Sequence, residues 1–499
     1  MFRILICVVV LMVLGVFSPV VIVAILSFLL LVQSALLILP LLTSAASKRQ
    51  HAPAKRQLSL YPKFSIHIAT HNEPSDMVIS TLKCTLSQNY PSDRFEVLVL
   101  DNNTMDTSVW HPVQRFCEAS QSTVEMKFYH DMGVVGAKAG ALQLGLSRMS
   151  SEADYVVTLD ADYCVSPDFL NRVVANLHKT GADYLQFPQA YHSLTPADQH
   201  LQRDYRSYFS VFCKQANTCQ AALPTGTLTV INKTALLACG MWGSQSITED
   251  AELGIRLQLH GYRGHFCDEV VGHGLLPLTL DGFLKQRYRW SLGNMEAISA
   301  NVDLIGSSYR SVLSRFDGMR VAHVVGQLFA WQCFGLIGAL ILPLSLFFYQ
   351  LSDNASYLII ANLSSLVIVL ASLRQSLPIV LCSMLNKTSA LDTLTTLLIR
   401  AGAAPTQSIG TLAGMLSLKT TFFRTPKCPS LSVSMPSFFL YDQVMLIAAL
   451  VGLVFGYHFE NILVIAASLL MLLPMFGKVV LTRCINSYNQ SAINGVSHA

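Results

Sequence analysis

Four aspartates stand where short apolar runs end or helical stretches begin: Asp101, Asp160, Asp162 and Asp250. Asp160-Ala-Asp162 closes the run Asp154-Tyr-Val-Val-Thr-Leu-Asp160. Two carboxylates one residue apart can hold a divalent cation against a diphosphate, because Mg²⁺ takes a few carboxylates together with phosphate oxygens and retained water. Such a cation neutralises charge on a departing nucleotide. The same triplet also reads as a solvated turn, and alone it does not separate the two. Its company carries more weight. Lys138, in Gly136-Ala-Lys-Ala-Gly140, sits where a helix begins, and small neighbours let phosphate reach backbone amides and the ammonium. Thr248-Glu249-Asp250 opens another helix, with Thr248 as cap and Gly261 as stop. There the helix dipole favours an ionised carboxylate, as a general base needs, and an oriented base contributes roughly 10²–10⁴ in rate. The plain alternative for Asp250 is a helix cap. Gln286-Arg-Tyr-Arg-Trp290 adds a guanidinium, Arg289, that can pair with diphosphate oxygens. Trp290 offers a flat face for a sugar ring; the alternative is a basic interfacial helix with an aromatic anchor.

The elements that must position these residues are strands and helices in alternation. Ser65–His71, Phe95–Asp101 and Asp154–Asp160 read as short buried strands. Helices are expected from Asp76 to Gln88 with Ser75 as cap, from near Ala137, and after Ser166 as cap with Pro167 at the first helical position. Alternation predicts a mostly parallel sheet covered on both faces, with ligands beyond the carboxyl ends of its strands. Asp101, Asp160 and the triplet His71-Asn72-Glu73 should therefore line one crevice.

Around this block the chain is apolar. Of 499 residues, 52% are hydrophobic and 13% charged, against about 25% charged in an ordinary soluble chain, and mean hydropathy is +0.45. A net charge of +4 is too small to argue for a nucleic-acid partner, and no Lys/Arg cluster alternates with aromatics as a nucleic-acid groove would need, so none is expected. The twelve cysteines show no CxxC pair or zinc spacing and read as small buried residues of a reducing compartment. Residues 4–44 carry no charge; as one helix they would run roughly 60 Å, twice the hydrocarbon thickness. They should fold back near Pro19, with Arg3 and the basic residues Lys48 to Arg56 on the cytosolic side. Residues 326–349 with 355–373, and 438–457 with 461–477, repeat the hairpin pattern. Six spans then place every Lys and Arg in the cytosol, both termini included. Segment 391–416, with Asp392, Arg400, Pro405 and Gln407, is expected as an amphipathic helix at the interface rather than a seventh span. No cleavable signal is evident.

The order Asp101, Lys138, Asp160-Ala-Asp162, Thr248-Glu249-Asp250, Gln286-x-x-Arg289-Trp290 resembles the processive family 2 glycosyltransferases of the cellulose synthase type. Phe422-Phe-Arg-Thr-Pro-Lys427 resembles their gating loop. The resemblance implies that Thr70, His71, Asn72, Glu73 and Asp101 hold a uridine, and Lys138 and Asp160 the nucleotide diphosphate. It implies Asp162, with Asp160, as the grip for Mg²⁺ or Mn²⁺, and Asp250 as base with Glu249 beside it. Gln286, Arg289 and Trp290 would border the acceptor and pyrophosphate. Gly226 and Thr227, in Pro224-Thr-Gly-Thr227, would meet the acceptor's terminal sugar, and Thr425 and Lys427 would reach UDP. Two departures stand out. Asp101-Asn-Asn-Thr104 replaces the usual Asp-Asp-Gly type, which looks more like bacterial β-glucan synthases of the curdlan and mixed-linkage kind, and Arg424 replaces an apolar gating-loop residue. With a short polar tail after residue 482, a PilZ domain is not expected within this chain.

The expectation is thus an α/β GT-A (Rossmann-like) cytosolic domain, residues 57–300, inserted between transmembrane helices. The remainder divides into a hairpin at 1–45, an interface helix and hairpin at 301–375, a cytosolic amphipathic segment with the gating loop at 376–436, a hairpin at 437–482 and a tail at 483–499. Its partners would be a UDP-sugar, a growing polysaccharide and the bilayer of the cell membrane, with accessory subunits unknown. Rival readings are synthesis from UDP-N-acetylglucosamine, a single transfer to a lipid, and a transporter or scaffold with a degenerate transferase domain. Asp442 is the one charge that falls inside an expected span, whereas ion-coupled transporters usually carry charges within theirs.

Overall fold

The computed structural model describes residues 18–45, 60–193, 195–302, 318–417 and 439–496. The first helix, α1 (Pro19–Ala45), precedes an alternating block: β1 (Phe64–Thr70), α2 (Ser75–Leu86), β2 (Phe95–Asn102), α3 (Thr107–Ala119), β3 (Glu125–Asp131), α4 (Ala137–Arg148) and β4 (Tyr155–Asp160). Then come β5 (Cys164–Val165), α5 (Phe169–Thr180), β6 (Tyr184–Gln186), β7 (Ala190–Tyr191), α6 (Asp198–Tyr208), β8 (Thr229–Asn232), α7 (Lys233–Ala238), α8 (Glu249–Leu259), β9 (Gly264–Phe266) and β10 (Gly272–Gly274). The remaining helices are α9 (Leu280–Ala300), α10 (Gly318–Phe329), α11 (Gly335–Ser352), α12 (Ala355–Leu385), α13 (Ala390–Met415), α14 (Phe439–His458) and α15 (Ile462–Val496).

Seven strands form one sheet in the order β3-β2-β1-β4-β8-β6-β9, and β8 alone runs against its neighbours. It is a mixed sheet. Both faces are covered, so successive residues of β2 bury on opposite sides. Val97 and Val99 pack with Val78 and Leu82 of α2, while Leu98 and Leu100 pack with Ala141 and Leu142 of α4 and Leu253 of α8. That is why the strands read as continuous apolar runs. β1, β2 and β4 are parallel, with Thr70 opposite Asp101 and Ala69 opposite Asp160, so their carboxyl ends meet at one edge.

Three expected helix starts are corrected. Helix α2 begins at Ser75 itself, with Pro74 before it and no side-chain cap. Helix α5 begins at Phe169, because the Ser166 carbonyl accepts the Phe169 amide while its hydroxyl donates to Val271 O. Thr248 does precede α8, but its hydroxyl pairs with Ser246 Oγ at 3.1 Å and caps nothing.

Among the described residues, four helices are long and apolar enough to cross a membrane: Pro19–Ile38, Gly335–Ser352, Ala355–Leu385 and Ile462–Ser491; a shorter apolar helix covers Asp442–His458. The chain is a membrane protein by this measure. The expected first half of the N-terminal hairpin lies outside the described residues, and Pro19 opens α1, a place where its missing N–H costs nothing. Two expectations change. Helix α12 continues past residue 373 and buries Arg374, whose Nη1 donates to Phe329 O at 2.7 Å, so a charge does lie inside a span-length helix. Helix α13 is no surface amphipath: it is packed between α9 and α15, with Gly410 against Tyr288 O and Gly402 against Gly477. Small residues on two of its faces permit that approach.

Candidate active site

The strand ends and the starts of α4, α8 and α9 enclose a cavity of about 360 Å³. Of the residues singled out from sequence, Thr70, Glu73, Lys138, Asp160, Asp162, Gly226, Glu249, Asp250, Gln286, Arg289 and Trp290 line it. Asn72, Asp101 and Thr227 do not reach the wall. Thr425 and Lys427 lie outside the described residues.

The three that stand back have identifiable work. Asp101 is buried, with Oδ2 accepting from the hydroxyls of Thr70 and Thr104, both at 2.9 Å, and Oδ1 lying 2.8 Å from His130 Nδ1. It pins the ends of β1 and β2 together. Asn72, at φ 53°, gives its amide to Thr104 Oγ1, which turns His71 into the wall instead. Thr227 is fully buried and its hydroxyl accepts the Asp160 amide at 3.0 Å, holding the end of β4.

Lys138 is the electrostatic centre. Its Nζ donates to Asp160 Oδ1 at 2.5 Å and to Gly226 O at 2.8 Å, and lies 3.7 Å from Glu249 Oε1. Burial alone works against its charge, but Asp160, Glu249 and Asp250 outweigh it and hold its pKa above the ordinary value. Gly226 must be glycine: at φ +87° a Cβ would be strained and would lie 3.1 Å from Asp250 Oδ2. Asp250 differs from the sequence expectation. Burial, then the neighbouring Glu249, push its pKa up to about 7, overriding Lys138 and the amides at the start of α8. The helix dipole does not keep it fully ionised; desolvation wins. A carboxyl poised near neutrality can still exchange a proton. Arg289 is pulled down by burial, countered by Glu249, Asp160 and Asp250. Gln286 accepts from the Tyr205 hydroxyl at 2.5 Å.

Asp160 and Asp162 both face the cavity, and Asp162 Oδ2 also accepts the Leu275 amide at 3.1 Å. Among the described residues no three His, Cys, Asp or Glu side chains gather at metal distance. Two carboxylates facing open volume suit a cation whose other ligands are diphosphate oxygens and water. Sequence reasoning missed Asn102, Asn103, Gln189 and Tyr191 in the wall. The first two directly follow Asp101 at a strand end, a signal that could have found them; Gln189 and Tyr191 carry none.

Residues 65–238 match the family described as glycosyl transferase family 2, and residues 155–386 that described as glycosyl transferase family group 2. Residues 65–386 thus carry family 2 glycosyltransferase domains. Relatives named as a cellulose synthase subunit and as glucomannan mannosyltransferases support the cellulose synthase type of that family. The chain is 25% identical to a cellulose synthase catalytic subunit of Xanthomonas axonopodis pv. citri (52% of this chain, 35% of that one). It is 28% identical to a probable glucomannan 4-beta-mannosyltransferase 9 of Oryza sativa subsp. japonica (57% and 56%) and 32% identical to glucomannan 4-beta-mannosyltransferase 1 of the same species (47% and 46%). The matches span between a third and just over half of these relatives' length. Among solved structures, a mannosyltransferase from Pyrobaculum calidifontis in complex with GDP-Man and Mn²⁺ aligns at 18% identity and TM-score 0.46, covering 70% of this chain and 98% of that one.

Proposed function

We propose that this transferase is a membrane-embedded, inverting, processive enzyme that builds a β-glucan from UDP-glucose at the cytosolic face of the cell membrane and passes it across the bilayer. The observation that carries the reading is one cavity bearing both a diphosphate-type wall (Lys138, Asp160, Asp162) and an acceptor-type wall (Asp250, Gln286, Trp290).

In the proposed reaction Asp250 takes the proton from the acceptor hydroxyl, whose oxygen attacks the anomeric carbon of the donor. The bond to the nucleotide diphosphate breaks on the opposite face. Lys138 and Arg289 balance charge on the departing diphosphate. A Mg²⁺ or Mn²⁺ ion held by Asp162 and Asp160 would supply further neutralisation there. Trp290 offers its ring to the acceptor sugar, and Thr425 and Lys427 are assigned to UDP by resemblance. The transferase domain is proposed at 57–300, with both termini cytosolic.

A second reading, β-mannosyl transfer, is favoured by the 32% identity to a glucomannan 4-beta-mannosyltransferase. The test of the mechanism is Asp250→Asn. Sugar incorporation should fall by about 10²–10⁴ while UDP still binds in calorimetry. Retained turnover removes the assignment.

A further inference from the structure

Beneath the acceptor-type wall, outside the cavity, lies a buried charged cluster that the proposed reaction does not use. Arg287 is fully buried, Asp204 is 1% exposed and Arg400 is 3% exposed. Arg287 Nη2 donates to Asp204 Oδ2 at 2.6 Å and Arg400 Nε donates to Asp204 Oδ1 at 2.5 Å. Two guanidiniums thus share one carboxylate, and a net positive charge stays in the interior. Aromatic faces receive it: the Arg287 guanidinium carbon lies 4.2 Å from the Tyr205 ring centre, 4.3 Å from Trp331, 4.6 Å from Trp290 and 4.7 Å from Phe283. Desolvated cation–π contacts are among the stronger of their kind.

The cluster closes into a ring of hydrogen bonds. Arg400 Nη1 donates to Gln375 Oε1 at 3.3 Å, and Gln375 Nε2 donates to Gln332 O at 2.8 Å. Gln332 Nε2 donates to Ser291 O at 2.9 Å, and Ser291 Oγ lies 3.1 Å from Arg287 O, to which it donates. The ring joins α6, α9, the span-length helix α12 and α13. Its outputs are two wall residues. Trp290 rests on Arg287, and Tyr205, also on Arg287, donates its hydroxyl to Gln286.

A buried ion cluster is a poor device for stability, since well-packed apolar side chains often serve as well. It is a good one for fixing orientation, because a guanidinium fork accepts few geometries. We propose that Arg287, Asp204 and Arg400 are positioning residues that set Trp290 and Gln286 against the acceptor and fasten that wall to helices α12 and α13. The inference rests on the transfer reading above. Among the described residues the ring's members stand outside the cavity wall; Arg400 reaches that wall through Asp204 and Arg287, and through Trp331, which packs against Trp290.

The test uses the full-length protein in lipid nanodiscs with wild type, Arg400→Lys, Arg287→Lys and Tyr205→Phe. Transfer to acceptor should fall about tenfold to a hundredfold in the arginine variants, as expected for a sub-ångström misplacement. Donor KM and UDP affinity should stay within about twofold, donor hydrolysis should persist, and products should shorten, which separates positioning from lost binding. Tyr205→Phe, which removes one hydroxyl and keeps the ring, should move the transfer-to-hydrolysis ratio in the same direction. That variant decides the matter if the arginine variants do not fold. Loss of donor affinity in proportion to turnover, or an unchanged ratio and product length in all variants, overturns the inference. Absence of any sugar transfer by the wild type would instead remove the reading on which it rests.

Discussion

The two walls of the cavity are built in different ways. On the donor side, the positions follow from strand ends: Thr70, Asn102 and Asp160 close three adjacent parallel strands, and Lys138 reaches Asp160 from the first turn of the helix after β3. On the acceptor side, Gln286 and Trp290 take their places from residues remote in sequence, with Arg287 tied through Asp204 to Arg400, 196 positions beyond Asp204. The donor wall is therefore a property of the backbone topology, and its chemistry should respond to single charges. The acceptor wall is a property of packing between α6 and α9 and the helices α12 and α13, and should respond to changes far from the cavity.

If charge governs the reaction centre, pH gives the largest effect. A base whose pKa is pushed up to about 7 by burial and by Glu249 should make transfer rise about tenfold per unit from pH 5 to 7 and level off above, measured as kcat/KM. A flat profile down to pH 5 would break the assignment. The sign for folding is opposite. The folded-state pKa lies above the ordinary 3.8, so this group's contribution to stability is present below about pH 4 and is lost as pH rises through about 7.

Next in size is Lys138→Met. Removing a charge-assisted contact to Asp160 should raise donor KM by about ten- to a hundredfold, the equivalent of 1.5–3 kcal/mol. Product length at saturating donor should change little, which distinguishes this wall from its neighbour. The smallest effect expected is from Thr227→Val. It leaves the half-buried Asp160 amide without its acceptor and should cost about 1 kcal/mol of stability, read as a lower Tm. Activity at low temperature should fall less than in Lys138→Met.

The same contrast explains what could be read from sequence. β1, β2 and β4 end within a residue or so of the expected positions, because buried parallel strands announce themselves as apolar runs and the chemistry sits where they stop. Asp101 was legible as important but not as hidden, since spacing cannot tell a wall residue from one that accepts the Thr70 and Thr104 hydroxyls behind it. The raised pKa of Asp250 was not legible either: a helix start suggests an ionised carboxylate, and burial depends on α9 and the loop at Gly226 closing over it. Helix α13 looked amphipathic because Arg400 and Gln407 are polar, yet both are buried. The partners of Arg400, Asp204 and Gln375, come from other helices, which no local pattern reveals.

The central claim is repeated hexosyl transfer from a nucleotide sugar at this cavity. The most direct measurement is incubation of the purified chain in nanodiscs with radiolabelled UDP-glucose, UDP-N-acetylglucosamine and a nucleotide-mannose, followed by sizing and linkage-specific glycanase digestion. A glucanase-sensitive polymer from UDP-glucose is expected. A single sugar on lipid, or no transfer from any of the three donors, would contradict it.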